Sequence, residues 1–321
     1  MIKSNIITVN PEIRKKGFKN ENLSIDEINN VDLEYAFKKI TAIYNNIANL
    51  NLDQEQSQII DTIYNSYLKY INKETLDQDD MILTKHENIE LKKISENKLV
   101  RYFIYRYKFN IYPKLRKVDK YPPVIQIEPT SICNYRCIMC YQADKSFSNK
   151  SNGFMGHMKF ETFKQCIDEL EGNVEAITFA SRGEPTLNKD FIKMLEYSNG
   201  KFLALKLNTN ASMLDEKLIH LLLSSDLQTI VFSIDAKDKE SYEKIRVNGK
   251  FDKVIKNLEL FNNIRDKNYN RTDKVVRISG VRINQDQNIE EMKKKWGGIA
   301  DLIAFTNYVP WESSYENQIN N

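Results

Sequence analysis

Cysteine is scarce in this chain: four residues in 321, three of them within the eight positions from Cys133 to Cys140. Disulfide frameworks staple small secreted domains, so a tight cluster in a long, cysteine-poor chain points to metal rather than to crosslinks. Long apolar runs are missing as well. The stretch 218–223 is short and carries His220, well below the roughly 18 uninterrupted apolar residues of a membrane span. The first ten residues, MIKSNIITVN, have neither the apolar core nor the small-residue cleavage site of a secretory signal, so a cytoplasmic location is expected. Charge of one sign is lacking too. The 47 basic and 44 acidic side chains leave a net +3, too even a balance to argue for nucleic acid. There is no internal repeat and no long low-complexity segment, only enrichment in Asn, Lys and Ile. What remains is a soluble globular composition, 41% hydrophobic and 28% charged, long enough for one large domain and a smaller one.

The texture changes along the chain. Residues 1–120 show helical periodicity and almost no strand signal. In 25–50, Ile28, Val31, Leu33, Ala36, Ile40, Ile43 and Ile47 recur near one helical face, and Ser24 with Glu27 resembles a capping box. Residues 55–71 repeat the pattern, and 87–117 hold a further helix, interrupted before Pro113. After Pro122-Pro123, β-rich runs at 124–128, 176–180, 204–208, 229–234, 275–281 and 302–308 alternate with helical patterns at 159–170, 190–197, 215–223, 239–245, 251–265 and 290–295. Such alternation predicts an α/β domain over 121–309 with parallel strands, and the apolar content of most strands suggests burial on both faces. Ligands of such sheets bind at the carboxyl ends of the strands, so residues just after each strand carry the most weight. Residues 310–321, with Trp311, form a short tail.

The first strand runs into Glu128-Pro-Thr-Ser-Ile-Cys-Asn-Tyr-Arg-Cys-Ile-Met-Cys140. Thiolates at four- and three-residue separations can wrap one corner of a cubane cluster. Iron–sulfur clusters usually take four cysteines, so three local ligands leave one iron open to a substrate. Zinc is the alternative, but a structural zinc wants four ligands and a catalytic one three plus water. The three histidines, His86, His157 and His220, lie elsewhere in the sequence.

A Cys-x-x-x-Cys-x-x-Cys loop after a first strand resembles the signature of the radical S-adenosylmethionine (SAM) superfamily. The resemblance implies a partial (β/α)6, TIM-like barrel and a [4Fe–4S] cluster on Cys133, Cys137 and Cys140, with SAM chelated by the open iron. One electron then cleaves the sulfonium to methionine and a 5′-deoxyadenosyl radical, which abstracts hydrogen from substrate. A reductant such as flavodoxin or ferredoxin is implied as partner, and the chemistry is that of an oxidoreductase whose cofactors carry the difficult step.

Further motifs fall at strand ends. Gly183-Glu184-Pro185 is similar to the family's Gly-Gly-Glu-Pro motif, which receives the SAM amino group; the family's first glycine is Arg182 here. An ammonium needs acceptors, and glycine lets backbone approach closely. Asn208 or Asn210 could hydrogen-bond ligand, while turn formation and helix capping explain asparagines there equally well. By resemblance Ser233 and Asp235 sit near the SAM ribose. Arg246, thirteen residues after Ser233, matches an arginine that pairs with the SAM carboxylate, a role for a planar, permanently charged fork; a solvent-exposed helix arginine is the alternative. Met139 stands where an aromatic often lies against adenine, and offers a polarizable contact instead. Cys166, on a helical pattern, is expected to be a small buried core residue.

The resemblance covers 121–309 and is strongest to the subgroup with a C-terminal, cysteine-rich SPASM domain, which acts on peptides, proteins or small metabolites. Here no cysteine follows Cys166, so the expectation is a member without auxiliary clusters or a truncated one. Peptide or protein maturation is the leading expectation. A dehydrogenase of a carbohydrate or small metabolite is the alternative within the family, and a non-catalytic iron–sulfur protein the alternative outside it. Residues 98–117 interleave aromatics with cations. Such a segment could lie on anionic lipid or single-stranded RNA, but packing of its aromatic face on the barrel is favoured, and nucleic acid is not an expected partner.

Overall fold

The computed structural model describes residues 30–270, 274–283 and 287–308. The Ser24–Glu27 capping box and the tail with Trp311 lie outside them.

The helical extension is built from amphipathic segments with capped starts. Helix α1 (Asn30–Asn45) precedes α2 (Gln54–Ile71), which opens on an Asp53–Gln56 capping box and buries Ile59, Ile60, Ile63 and Tyr67. Helix α3 (Lys85–Leu91) opens on a second capping box, Thr84–Glu87. The expected helix over 87–117 is thus split. Its second part, α4 (Leu99–Leu115), runs through Pro113 rather than stopping before it, and closes at Arg116 in the left-handed region. The proline removes one N–H from the last turn, two residues before the helix ends. Nine residues of α4 are buried, Tyr102, Phe103, Tyr105, Arg106 and Tyr107 among them. The aromatic–basic segment therefore packs inside the protein, as its amphipathic pattern suggested.

Six strands follow, β1 (Val124–Ile127), β3 (Ala176–Phe179), β4 (Ala204–Thr209), β5 (Leu227–Ser233), β7 (Val275–Arg282) and β8 (Leu302–Asn307), all parallel and hydrogen-bonded in sequence order. The sheet is open, with β1 and β8 as its two ends. Helices α6 (Phe160–Leu170), α7 (Phe191–Ser198), α8 (Glu216–Ser224), α9 (Lys239–Ile245), α10 (Phe251–Asn268) and α11 (Ile289–Trp296) make the crossovers. One side of the sheet supplies the main core, where Phe179, Leu207, Phe232 and Ile278 meet Phe163, Phe191 and Phe261. The other side is mixed: Thr229 and Val231 of β5 are buried there, as the strand composition suggested, but β4 differs. On β4 burial alternates strictly, with Leu205 and Leu207 against the helices and Lys206 and Asn208 on the inner face. A curved sheet leaves that face concave, and polar residues line it.

A second apolar cluster fills the helical extension and reaches the first residues of the sheet through Ala176, Leu203, Val124 and Ala204. The extension therefore packs under the amino ends of β1, β3 and β4, opposite the end where the cysteine loop emerges.

Candidate functional site at the strand carboxyl ends

The loop after β1 is held by its own short side chains. Thr130 Oγ1 accepts from Ile132 N at 3.0 Å and donates to Gly156 O at 2.9 Å, while Ser131 exchanges bonds with Gly156. These contacts fold the segment 141–157 back over the loop. That segment contains the short α5 (Lys145–Ser148) and shows no strand or helix periodicity long enough to announce itself. Gln142, 1% exposed, donates through Nε2 to Ser131 O and Arg182 O at 2.7 Å each, and so ties the cysteine loop to the loop after β3.

Gly183 completes that junction. A Cβ there would stand 2.0 Å from Thr130 O and 2.7 Å from Ile132 O, so no larger residue fits without moving backbone. Glu184 N donates to Ile132 O at 3.0 Å. The Glu184 side chain is 3% exposed; Oε1 accepts from the Thr186 and Thr209 hydroxyls at 2.6 Å each, and Oε2 from Asn210 N at 2.7 Å. The carboxylate thus braces the ends of β3 and β4, its pKa pushed up by burial against these donors. Pro185 opens the turn 185–187. Arg182, where the family pattern has glycine, makes a bidentate fork to Glu128 at 2.9 and 3.0 Å and lies 4.9 Å over the Phe147 ring. The residue before it, Ser181, takes φ +125°.

Cys133, Cys137 and Cys140 are all half-buried. Cys133 Sγ accepts from Tyr135 N at 3.4 Å and Cys140 Sγ from Gln142 N at 3.5 Å. Strand β2 (Arg136–Cys137) pairs antiparallel with β6 (Arg246–Val247), which sets Arg246 opposite Cys137. The guanidinium, 6% exposed, lies 3.8 Å from Cys137 Sγ through Nη1 and 2.8 Å from Asp235 Oδ2 through Nη2. Asp235 is 0% exposed, and its Oδ1 accepts from Val281 N at 2.7 Å. Burial raises its pKa, with Arg246 pulling the other way. Burial also pushes the Cys133 thiol up to about 11 and the Cys137 thiol up to about 12, although Arg136 and Arg246 oppose it. Metal binding would have to displace those protons.

Of the residues predicted from sequence, the structure brings the three cysteines, Gly183, Glu184, Pro185, Asp235 and Arg246 to one end of the sheet. Asn208 and Ser233 stand on the inner face just below; Asn208 Oδ1 is buried without a partner. Met139 packs against the main core between the second and third cysteines. Cys166 stands apart on α6, half-buried rather than in the core. The fit to a cluster is read from the thiols themselves. They share one loop; Cys133 and Cys140 accept backbone N–H groups and Cys137 the Arg246 guanidinium, and Arg136 and Arg246 offset the charge of thiolates. Among the described residues, no three Cys, His, Asp or Glu side chains converge on a point one ion could fill.

Comparison with known proteins decides the family. The profile described as the radical SAM superfamily matches residues 127–295. The chain belongs to the radical SAM superfamily. That family uses a [4Fe–4S] cluster and SAM. The mycofactocin maturase MftC of Mycolicibacterium smegmatis is 26% identical over 166 residues, 52% of this chain and 40% of that protein. The Fe-coproporphyrin III synthase of Methanosarcina barkeri is 28% identical over 137 residues, 42% of this chain and 33% of that one. The matched stretch thus spans less than half of either relative. The crystal structure of Streptococcus suis SuiB superposes with a TM-score of 0.50 at 17% identity, covering 84% of this chain and 61% of SuiB, a likeness of fold. Among the described residues, no helix of this radical SAM protein is long and apolar enough to cross a membrane.

Three features of the site escaped sequence reasoning. The Gln142 clamp and the Arg182–Glu128 fork join residues 40 and 54 positions apart, which no local pattern announces. The Asp235–Arg246 pair was visible as two separate ligand candidates, not as partners.

Proposed function

We propose that this chain is a radical SAM enzyme that matures a peptide or protein, with Cys133, Cys137 and Cys140 holding the cluster. The observation that carries the reading is the cysteine loop seated over the carboxyl ends of a parallel sheet, with a buried arginine beside its middle thiol. When bound, the cluster and SAM supply one-electron cleavage of the sulfonium and a carbon radical able to take hydrogen from substrate. The chain's own residues do the rest. Gly183 allows close approach of the loop after β3, and Glu184 fixes that loop against β4 so that its carbonyls keep one orientation for an ammonium. Asp235 orients the Arg246 fork, whose remaining N–H groups suit a carboxylate. Ser233 and Asn208 offer hydroxyl and amide groups on the inner wall, and Met139 a polarizable surface for adenine. Segment 141–157 covers the loop and keeps water from the thiols.

The maturase reading draws on the similarity to the mycofactocin maturase MftC. Its test uses the reduced, reconstituted protein with deuterium-labelled short peptides encoded beside its gene. Transfer of deuterium into 5′-deoxyadenosine with a change in peptide mass is the expected result. Turnover only with a sugar or small alcohol would replace it with the dehydrogenase reading, and a loaded cluster that cleaves no SAM would leave a non-catalytic iron–sulfur protein.

A further inference from the structure

Beneath the cysteine end, where the helical extension meets the sheet, lies a cavity of about 290 Å³. Its sheet side carries two cations, Lys206 from β4 and Arg277 from β7. The register sets them on successive levels of the inner face: Lys206 is level with Thr229, and Arg277 with Val231, the partner of Asn208. Neither has an acidic side chain within ion-pair distance among the described residues, and Arg277 Nε is buried without an acceptor. The helix side carries Arg106, Glu87 and Glu90, one cation against two carboxylates, largely engaged with one another. Arg106 is ion-paired to both glutamates, with Glu87 also accepting from Asn110 and Thr84, and Glu90 facing His86 at 3.0 Å. Glu90 exerts some attraction on Lys206 across the cavity, yet with three cations against two carboxylates the lining stays net positive, and neither Lys206 nor Arg277 has an ion-pair contact of its own among the described residues.

Buried, unpaired charge is costly and persists in a protein when something pairs with it. Lys206 shows the strain of this arrangement: burial first, then Arg277, lowers its pKa to about 8. The rest of the lining selects among anions. Tyr105 and Phe109 make one wall apolar, which fits the methylene stem of an acid better than a bare oxyanion. The one carboxylate in excess on the helix side disfavours a dianion such as phosphate more than a monoanion. The cavity's position matters as much. Lys206 lies two residues below Asn208 on the same strand, roughly 7 Å at ~3.3 Å per residue, while Arg277 is level with Asn208, so an anion bridging the two sits between those levels. An anchored side chain would leave its backbone near the rim where chemistry occurs.

We infer that Lys206 and Arg277 form a recognition subsite for a substrate carboxylate, an acidic side chain of the peptide, held between barrel and helical extension. The inference rests on the radical SAM peptide reading but is tested by binding alone. The full chain is titrated calorimetrically with N-acetylglutamate α-amide, with the neutral isostere N-acetylglutamine α-amide, and with inorganic phosphate. The glutamate probe is expected to bind, the glutamine probe at least ~10-fold more weakly, and phosphate no better than the glutamine probe. Lys206→Met and Arg277→Met should each weaken the glutamate probe by about 10-fold or more, with iron content, SAM binding and circular dichroism unchanged, and Lys206→Arg should retain it. Equal binding of the two amides, tighter binding of phosphate, no saturable binding of any probe, or glutamate binding that survives the double variant would each overturn the subsite. SAM cleavage, scored on the same samples, separates this failure from failure of the enzymatic reading.

Discussion

Replacing Gly183 by alanine tests how the site is assembled. The added Cβ would meet Thr130 O at 2.0 Å, whereas ordinary van der Waals contact begins at 3.4 Å, so the carbonyl must retreat by about 1.4 Å. Thr130 C and Ile132 O, both 2.7 Å away, must move with it. All three are backbone, with no flexible side chain to yield. Overpacking of this kind costs about 1–3 kcal/mol; with two carbonyls opposed, we expect about 3 kcal/mol, or roughly 4–5 °C in Tm for a chain of this length. The displaced segment leads directly into Cys133, and metal sites tolerate ligand errors of only about 0.2 Å, so iron retention after anaerobic reconstitution should fall together with Tm. Gly156→Ala is the internal control. Its Cβ would meet nothing within 4 Å, and its Tm and iron content should match those of the parent. Equal stability and equal iron in Gly183→Ala and Gly156→Ala would refute the claim that loop contact at Gly183 sets the position of the cysteines.

Other expectations follow from buried charge. Lys206 has its pKa lowered from 10.5 to about 8, so its protonated form destabilises the fold by up to about 3 kcal/mol at pH 7. Lys206→Met should therefore raise stability there by about 2–3 kcal/mol. Because the unfolded chain holds this proton between pH 8 and 10.5 and the folded one does not, the advantage of the variant should shrink across that window; a denaturant-derived difference that stays constant from pH 7 to 10 would count against it. Arg106→Leu leaves Glu87 and Glu90 buried without their cation, and should cost about 3–5 kcal/mol in chemical denaturation; a loss under 1 kcal/mol would mean that the pairing is not buried in solution. Asp235→Asn keeps an acceptor for Val281 N but removes the counter-charge of Arg246. Full iron loading with SAM affinity reduced about 10-fold or more is expected by equilibrium dialysis, and unchanged affinity would remove Arg246 orientation from the account.

The strands were legible because their outer faces alternate cleanly, as Leu205 and Leu207 do on β4, and because helical periods separate them. The cysteine loop and Gly183-Glu184-Pro185 were legible because their chemistry is local. What sequence could not convey was pairing over distance. Lys206 and Arg277 read as ordinary strand residues until the sheet places them over one cavity, and their lack of acidic partners is a property of the tertiary arrangement alone. Glu184 looked like an open acceptor, yet its Oε1 is shared between the Thr186 and Thr209 hydroxyls, one of which arrives from the next strand. Apolar composition suggested strands buried on both faces, which holds along β5, where Thr229 and Val231 are buried like Ile230 and Phe232, but not along β4, where Lys206 and Asn208 are only partly buried.

The central claim is that this loop holds a cluster competent to cleave SAM. The protein, reconstituted anaerobically with iron and sulfide, reduced with dithionite and given SAM, should yield 5′-deoxyadenosine, and Cys133→Ala should yield none. A fully loaded [4Fe–4S] protein that binds SAM and forms no 5′-deoxyadenosine would contradict it.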